Sequence, residues 1–265
     1  MVMDNLVDLT LDVAVFIAMS QSQPDGWASF ECSEDCQITL TRYTFADPSR
    51  VSQQSNKSKR YTVQQLMDAL DLFCDFVDTL RFRSLSMDSL SSTSVTEDQG
   101  TAISENGWSG CKHLLFVDNS SGFLARFLPV IVKRRDPFVS VSFISSGLPS
   151  LGSETTGQLR ASYLYFDDLS TDARLENILG IWDGSYLNID NCPSFGPAVL
   201  QFLTEEWPEQ RFPCPSMMEL TISNCKIEHY GQIDDLIEMR RKAFTLPYPG
   251  VGSNREDYVD LRREI

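Results

Sequence analysis

The sequence has few residues that could carry catalysis. It contains only two histidines, His113 and His229, and neither accompanies a G-x-S-x-G sequence or a cysteine in a nucleophile context, so triad chemistry is not expected. The G-x-G-x-x-G and P-loop patterns that cradle phosphates are both absent. Cys32 and Cys36 have no second Cys or His pair at the spacing of metal ligands. We therefore expect a protein that is not an enzyme and that holds no metal and no cofactor.

Positive charge is also scarce. The chain has 22 Lys and Arg against 37 Asp and Glu, which gives a formal net charge of -15. This balance disfavours nucleic acid and anionic membrane surfaces as partners and favours a basic partner. Uncharged runs of about 18 or more residues, the length that spans a bilayer, are missing as well. The expected partner is therefore a protein, recognised through a basic segment.

The seven cysteines are odd in number and form no compact disulfide framework. The first 20 residues are apolar, but Asp4, Asp8 and Asp12 interrupt them and no Lys or Arg precedes them, which argues against a secretory signal. We expect reduced thiols and a cytoplasmic or nuclear location.

Two short segments in the second half of the chain repeat one another. The sequences "LNIDNCPS" and "LTISNCKI" align with Asn directly before Cys in both. The aligned positions are Leu187, Ile189, Asn191 and Cys192 over Leu220, Ile222, Asn224 and Cys225. The segments that follow, "GPAVLQFLTEEW" and "GQIDDLIEMRRKA", have the i, i+3, i+4 apolar spacing of amphipathic helices. Each unit therefore reads as a strand, a turn and a helix.

Fainter copies of the apolar pair precede these two units. The candidate pairs are Leu9 with Leu11, Ile38 with Leu40, Leu85 with Met87, Leu115 with Val117, Val141 with Phe143, and Leu164 with Phe166. The pattern is similar to the leucine-rich repeat, in which the apolar positions point inward and an Asn or Cys is buried at the end of the strand. Any single upstream copy could equally be an alternating strand of an ordinary α/β domain.

Together these repeats predict an α/β leucine-rich-repeat solenoid with irregular repeats. It would be horseshoe-like, with parallel strands on its concave face and helices on its convex face. We expect the repeat domain to cover residues 1–243, with flexible loops inserted near 46–60, 91–110 and 145–160. Residues 244–265 would form a charged C-terminal tail.

The residue after each apolar pair should face outward on the concave sheet. These residues are Asp12, Thr41, Asp88, Asp118, Ile144, Asp167, Asp190 and Ser223. Five of the eight are Asp, although the tendency of Asp to end strands explains such a row about as well. The aromatic residues Phe116, Tyr163, Tyr165 and Tyr186 are expected on the same edge. We interpret the row as an acidic and aromatic surface that binds a basic protein segment.

The strand with Asn and Cys, followed by Gly and an amphipathic helix, resembles the Cys-containing leucine-rich repeats of F-box proteins, especially the divergent fungal ones. The resemblance is specific from about Ser162 to Ala243, and the residues that match occupy structural positions only. It implies a substrate-selecting module for a cullin-type ubiquitin ligase. An F-box supplied elsewhere would have to recruit the ligase adaptor, because no Leu-Pro-x-Glu-like opening precedes the repeats.

Two other interpretations remain open at this point. One is a small α/β enzyme whose site escapes motif recognition, which would require a deep pocket with converging titratable groups. The other is a truncated leucine-rich-repeat fragment without activity, which is suggested by a chain that begins inside a repeat at Asn5.

Overall fold

A computed structural model describes residues 6–22, 32–45, 61–71, 77–87, 110–134, 136–151, 157–205, 213–225 and 230–245. The strands are β1 (Leu6–Asp12), β2 (Cys32–Phe45), β3 (Thr79–Met87), β4 (His113–Val117), β5 (Phe138–Ile144), β6 (Leu159–Asp167), β7 (Trp182–Asp183), β8 (Tyr186–Asp190) and β9 (Glu219–Ser223). The helices are α1 (Val13–Ser22), α2 (Val63–Asp71), α3 (Ser121–Ile131), α4 (Leu175–Leu179), α5 (Pro197–Thr204) and α6 (Tyr230–Thr245).

In this part of the chain, nine strands form one open parallel sheet. Their order in space follows their order in sequence from β1 to β6 and then through β8 to β9, while the short β7 pairs with the start of β6. Every pairing is parallel. The strands are joined by crossover segments, several of which contain a helix. The fold is therefore α/β, as the sequence predicts at this level.

Strand side chains alternate between a buried face and a face opposite to it. The first apolar position of each strand aligns in one row, which is Leu9, Ile38, Leu80, Leu114, Val141, Leu164, Leu187 and Leu220. The second aligns in a parallel row, which is Leu11, Leu40, Phe82, Phe116, Phe143, Phe166, Ile189 and Ile222. Most of these side chains and the buried residues of the helices belong to one hydrophobic core. The helices consequently pack against a single face of the sheet.

Phenylalanine dominates the middle of this core. The rings of Phe82, Phe116, Phe143 and Phe166 stack from strand to strand, with centroids 5.4, 5.2 and 5.7 Å apart. Phe127 of α3 meets Phe116 edge-on at 5.7 Å. Such offset and edge-to-face contacts add to the free energy gained by burial. Together they fix the spacing of β3 to β6 and hold α3 against the sheet.

The two helices predicted after the cysteine strands are both present as α5 and α6. Leu200 and Leu203 of α5 and Leu236 of α6 are buried, as their spacing requires. Helix α6 extends to Thr245, so it includes the first two residues of the expected tail, and 246–265 lie outside the described residues. The loops expected near 46–60 and 91–110 also lie outside them, apart from Gly110.

Two of the eight apolar pairs were assigned wrongly from the sequence. In β3 the aligned pair is Leu80 with Phe82, and in β4 it is Leu114 with Phe116. The sequence "HLLFV" offers two alternating patterns, and a slip of one residue exchanges the two faces of a strand. In β3, Leu85 is buried but lies beyond Ser84, whose positive φ of 55° interrupts the alternation of the strand. The other pairs agree with the prediction.

Candidate partner-binding face

The face of the sheet opposite the helices, called here the open face, carries the candidate binding residues. On β6, Tyr163, Tyr165 and Asp167 alternate with the buried Leu164 and Phe166, and all three are half-buried. On β8, Tyr186 aligns with Tyr163 and Asp190 aligns with Asp167. The structure thus brings five of the eight predicted binding residues together on two neighbouring strands.

The three tyrosines form a continuous aromatic surface. Tyr163 and Tyr186 stack with centroids 4.5 Å apart and an interplanar angle of 14°. Tyr165 is nearly parallel to Tyr163 at 6.2 Å. Burial raises the pKa of Tyr165, and nearby Tyr163 and Glu219 act in the same direction. The phenol of Tyr165 therefore stays neutral at physiological pH. The three rings present flat faces of the kind that pack against apolar groups and cations.

Asp167 and Asp190 border these rings and differ in their surroundings. Burial, followed by the charges of Asp190 and Asp168, raises the pKa of Asp167 above its ordinary value. The pKa of Asp190 is lowered because its carboxylate accepts hydrogen bonds from Ser223 Oγ and Asn224 Nδ2, at 2.8 and 2.7 Å. Asp167 is therefore the carboxylate that gains most from a cationic group placed beside it.

These opposite shifts predict opposite effects of two matched substitutions on stability. Asp167→Asn should raise the melting temperature at pH 7, because it removes a carboxylate whose charged form the fold disfavours, whereas Asp190→Asn should lower it. The Asp190 contribution is complete above about pH 4 and is lost as the pH falls through its lowered pKa. The Asp167 penalty disappears as the pH falls through its raised pKa towards about 4. Thermal unfolding of both variants from pH 3 to 8 measures these differences, and a shift of the same sign at pH 7 would contradict the assignment.

Asp118 lies just outside the row that the sequence predicts for it. Val117 aligns with Ile144, and Ile144 aligns with Asp167, so the residue of β4 in this row is Val117. Asp118 comes one residue later in the chain. It belongs to a row of residues with positive φ. Arg42 and Ser84 of this row lie within β2 and β3, whereas Asp118, Ser145, Asp168, Asn191 and Asn224 directly follow their strands. Asp118 accepts a 2.9 Å hydrogen bond from Ser84 Oγ. Its carboxylate is exposed beside the open face, and one of its oxygens is used by this hydrogen bond.

The prediction that Phe116 lies on the open face is wrong. Its side chain is fully buried and belongs to the phenylalanine stack of the core. The cause is the same as for the wrong apolar pair in β4. The alternating pattern of this strand was predicted one residue out of register, which exchanges its two faces. Asp88 lies outside the described residues.

The repeated cysteines occupy equivalent positions just beyond the row of residues with positive φ. Cys192 N–H donates to Cys225 Sγ at 3.4 Å, and Cys225 Sγ lies 3.8 Å from the carbonyl of Ile189. Burial raises the pKa of Cys192 to about 11, so it remains a thiol, and its Sγ donates to Asp190 O at 3.0 Å. The preceding Asn191 and Asn224 are exposed, and their side chains donate to Asp168 and Asp190. The cysteine therefore bonds the backbone of the turn, and the asparagine bonds a carboxylate.

Asn119 and Ser146 make the same contacts on other strands. Leu85 N–H donates to Asn119 Oδ1 and Asn119 Nδ2 donates to Phe82 O, both at 2.9 Å. Asn119 N–H donates to Ser146 Oγ at 3.1 Å, and Ser146 Oγ is 3.1 Å from Phe116 O. Each side chain thus links the end of its own strand to the end of the preceding one. These contacts form a ladder of side-chain hydrogen bonds that joins β3 to β4 and β4 to β5, and Cys225 joins β8 to β9 in the same way.

The ladder predicts a large stability loss for Asn119→Ala. The change leaves Leu85 N–H and Phe82 O buried without their partner, which costs about 1–3 kcal/mol for each group. We expect the free energy of unfolding in urea to fall by about 2–4 kcal/mol. Asn224→Ala is the matched control, because its exposed amide bonds Asp190 alone among the residues that the structure describes, and it should cost about 1 kcal/mol or less. Equal losses in the two variants would refute the ladder role.

One cluster on the open face contains a serine, a histidine and an aspartate. His113 Nδ1 is 2.8 Å from Ser140 Oγ, whereas His113 Nε2 is 3.9 Å from Asp78 Oδ2. Asp78 forms its close ion pair with Lys112 instead, at 2.9 Å. Ser140 N–H and Val139 N–H both donate to Lys112 O. The cluster therefore lacks a hydrogen bond from the histidine to the carboxylate, and the two backbone donors nearest the serine are already used.

The described residues include no group of three or more His, Cys, Asp or Glu side chains arranged to hold a metal ion. None of the helices they form is both long and apolar enough to cross a membrane. Comparisons of the chain with family models, with curated proteins and with solved structures found no match.

Among the charged residues of the open face that sequence reasoning missed are three on β3 and β9. Glu219 aligns with Tyr186, and Arg81 and Arg83 lie on β3. Glu219 comes directly before the first apolar residue of its strand, so the same repeat alignment could have identified it. The two arginines were missed because the sequence prediction placed the apolar pair of β3 five residues after its observed position.

Proposed function

We propose that the sheet and helices form an irregular leucine-rich-repeat solenoid. Three features support this: the strands follow one another in space in sequence order, their apolar positions stay in register, and polar residues form a buried ladder at the strand ends. Repeat proteins build such a structure by stacking units that each bury their apolar side against their neighbours. In this proposal the open face is the concave one.

We propose further that this protein is a non-catalytic recognition module that binds another protein through the open face. The observation that carries the proposal is the stack of Tyr163 on Tyr186, bordered by Asp167 and Asp190. Tyrosines supply large contact areas at little cost in side-chain entropy, and they are common anchors of interfaces. The carboxylates and the net charge of -15 favour a basic segment of the partner.

The F-box resemblance extends this proposal to a biological role. The module would select substrates for a cullin-type ubiquitin ligase if an F-box is supplied elsewhere, and it would work in the cytoplasm or nucleus. The buried thiols of Cys192 and Cys214, which serve as packing and hydrogen-bonding groups, support a reducing compartment. Isolation of cullin and its adaptor with the tagged protein from its own cells tests this role separately from binding itself.

Charge reversal on the open face tests the recognition function. Asp167→Lys with Asp190→Lys should abolish binding of extended Lys- and Arg-rich peptides, measured by fluorescence anisotropy of a labelled peptide array. Asp234→Lys with Asp235→Lys is the matched control, because it makes the same charge change at exposed positions of α6. Equal loss in both double variants would show that only net charge matters and would contradict a specific face.

A second candidate function, that of a small α/β enzyme, has one observation in its favour. The 2.8 Å hydrogen bond between Ser140 and His113 is the first half of a nucleophile and base pair. The ion pair of Asp78 with Lys112 and the occupied backbone donors weigh against it. Labelling by a fluorophosphonate that Ser140→Ala abolishes would favour the enzyme over the recognition module.

A further inference from the structure

Arg81 and Arg83 form a basic zone on β3 of the open face. They alternate with the buried Leu80 and Phe82, so their side chains point away from the helices. Arg83 is exposed and Arg81 is half-buried. Among the described residues, Arg81 Nε has no hydrogen-bond partner. Two guanidinium groups therefore lie on the same face as the carboxylates of Asp167 and Asp190.

The register relates the two charged zones directly. The row through Arg83 continues as Val117, Ile144, Asp167 and Asp190. The row through Arg81 continues as Leu115, Ser142, Tyr165 and Asn188. Along these two rows, the open face therefore changes from basic on β3 to uncharged on β4 and β5, and then to aromatic and acidic on β6 and β8. The exposed Asp118 lies one residue beyond the end of β4.

The separation of these zones allows both to act on a partner. Adjacent strands lie about 4.8 Å apart, which puts β3 about 14 Å from β6 and about 19 Å from β8. These distances exceed the Debye length of about 8 Å at physiological ionic strength. The arginines are therefore too far from Asp167 and Asp190 to neutralise them across the face. Asp118 and Asp12 lie closer to the arginines, and each already accepts a hydrogen bond, from Ser84 Oγ and from Ala14 N–H. Each zone remains available for an opposite charge on a partner.

Building on the proposed function, we infer that the partner's binding segment crosses the strands with a basic side chain over Asp167 and Asp190 and an acidic side chain over Arg81 and Arg83. An extended chain advances about 3.3 Å per residue, so the two charges stand about four to six residues apart. Apolar side chains between them contact Leu115, Val117 and Ile144, which are half-buried on the open face. Charge complementarity thus selects a dipolar, extended protein segment.

Three synthetic peptides test this inference. The first has Glu at one end and Arg at the other with five apolar or small residues between them, the second replaces Glu by Gln, and the third places Glu next to Arg. We expect the native protein to bind the first peptide about fivefold or more tightly than the other two, since two exposed ion pairs contribute this much. Arg81→Gln with Arg83→Gln should remove that advantage and leave the affinity for the second peptide unchanged.

A control variant and the other possible results distinguish this inference from the proposed recognition function. Lys133→Gln with Arg174→Gln makes the same charge change at exposed positions outside the open face and should preserve the preference for the first peptide. Equal affinity of the native protein for all three peptides overturns the inference. If that common binding is still lost in Asp167→Lys with Asp190→Lys, the proposed function stands without it. Binding of no peptide, or binding that this charge reversal leaves unchanged, overturns both.

Discussion

Arg240→Ala should lower the free energy of unfolding by about 3 kcal/mol or more, since charge-assisted hydrogen bonds in a buried site each contribute about 1.5–3 kcal/mol. Only 3% of Arg240 is exposed. From α6 its guanidinium donates to Cys214 O and Leu203 O, each at 3.1 Å, and to Pro213 O. It thereby joins the last helix to the end of α5 and to the segment that leads into β9. Urea unfolding followed by circular dichroism measures the loss.

Two companion variants identify the cause of that loss. Arg240→Lys keeps the positive charge but cannot reach three carbonyls with a planar fork, so an intermediate loss is expected. Arg174→Ala removes an arginine whose side chain is 75% exposed and whose contact with Glu176 is 3.9 Å long, so its cost should be about 0.5 kcal/mol or less. A loss for Arg240→Ala as small as that for Arg174→Ala would contradict the role of Arg240 as a buried clamp.

Phe116→Ala should be comparably destabilising, at about 3–5 kcal/mol, because truncation of a buried phenylalanine leaves a cavity in the core. The ring lies between Phe82 and Phe143 and touches Phe127 of α3. Its loss would interrupt the stack that runs from β3 to β6. Thermal and urea unfolding of the purified variant measure the effect.

Leu115→Ala is the matched control for Phe116→Ala. Leu115 is the preceding residue of β4 and lies half-buried on the open face. Its truncation should cost at least about 2 kcal/mol less than that of Phe116, since only part of its apolar area is removed from water. A larger stability loss for Leu115→Ala than for Phe116→Ala would instead support the register in which Leu115 faces the core and Phe116 faces outward.

The sequence predicts this fold best where one alternating pattern is possible. In β8 and β9 the polar residues on both sides of Leu187, Ile189 and Leu220 leave a single register, and the structure confirms it. In β4 three apolar residues in a row before Val117 allow two registers, and the sequence contains nothing local that separates them. The choice there is made by packing, since Phe116 fits the stack between Phe82 and Phe143.

The sequence also predicts part of the candidate site, where the strand pattern or the repeat fixes the register. Tyr163, Tyr165 and Asp167 follow from the alternation of β6, and Tyr186 and Asp190 follow from the repeat. Hydrogen bonds between turns were not predictable, because whether Asp190 binds Ser223 and Asn224 depends on the positive φ of the turn residues. The same holds for Arg240, whose partners lie 26 to 37 residues away along the chain.

The central proposal is that the open face binds a protein through the surface formed by Tyr163, Tyr186 and the neighbouring carboxylates. A photo-reactive amino acid placed at Asn188, on the open face of β8, tests it most directly, with a second at Gln201, an exposed residue of α5, as the control. After irradiation in the native cells, mass spectrometry identifies the cross-linked peptides. The proposal predicts adducts from Asn188 to peptides rich in Lys or Arg, which disappear when Asp167 and Asp190 are changed to Lys. Adducts from Gln201 alone, or adducts from Asn188 that persist after the charge reversal, would contradict it.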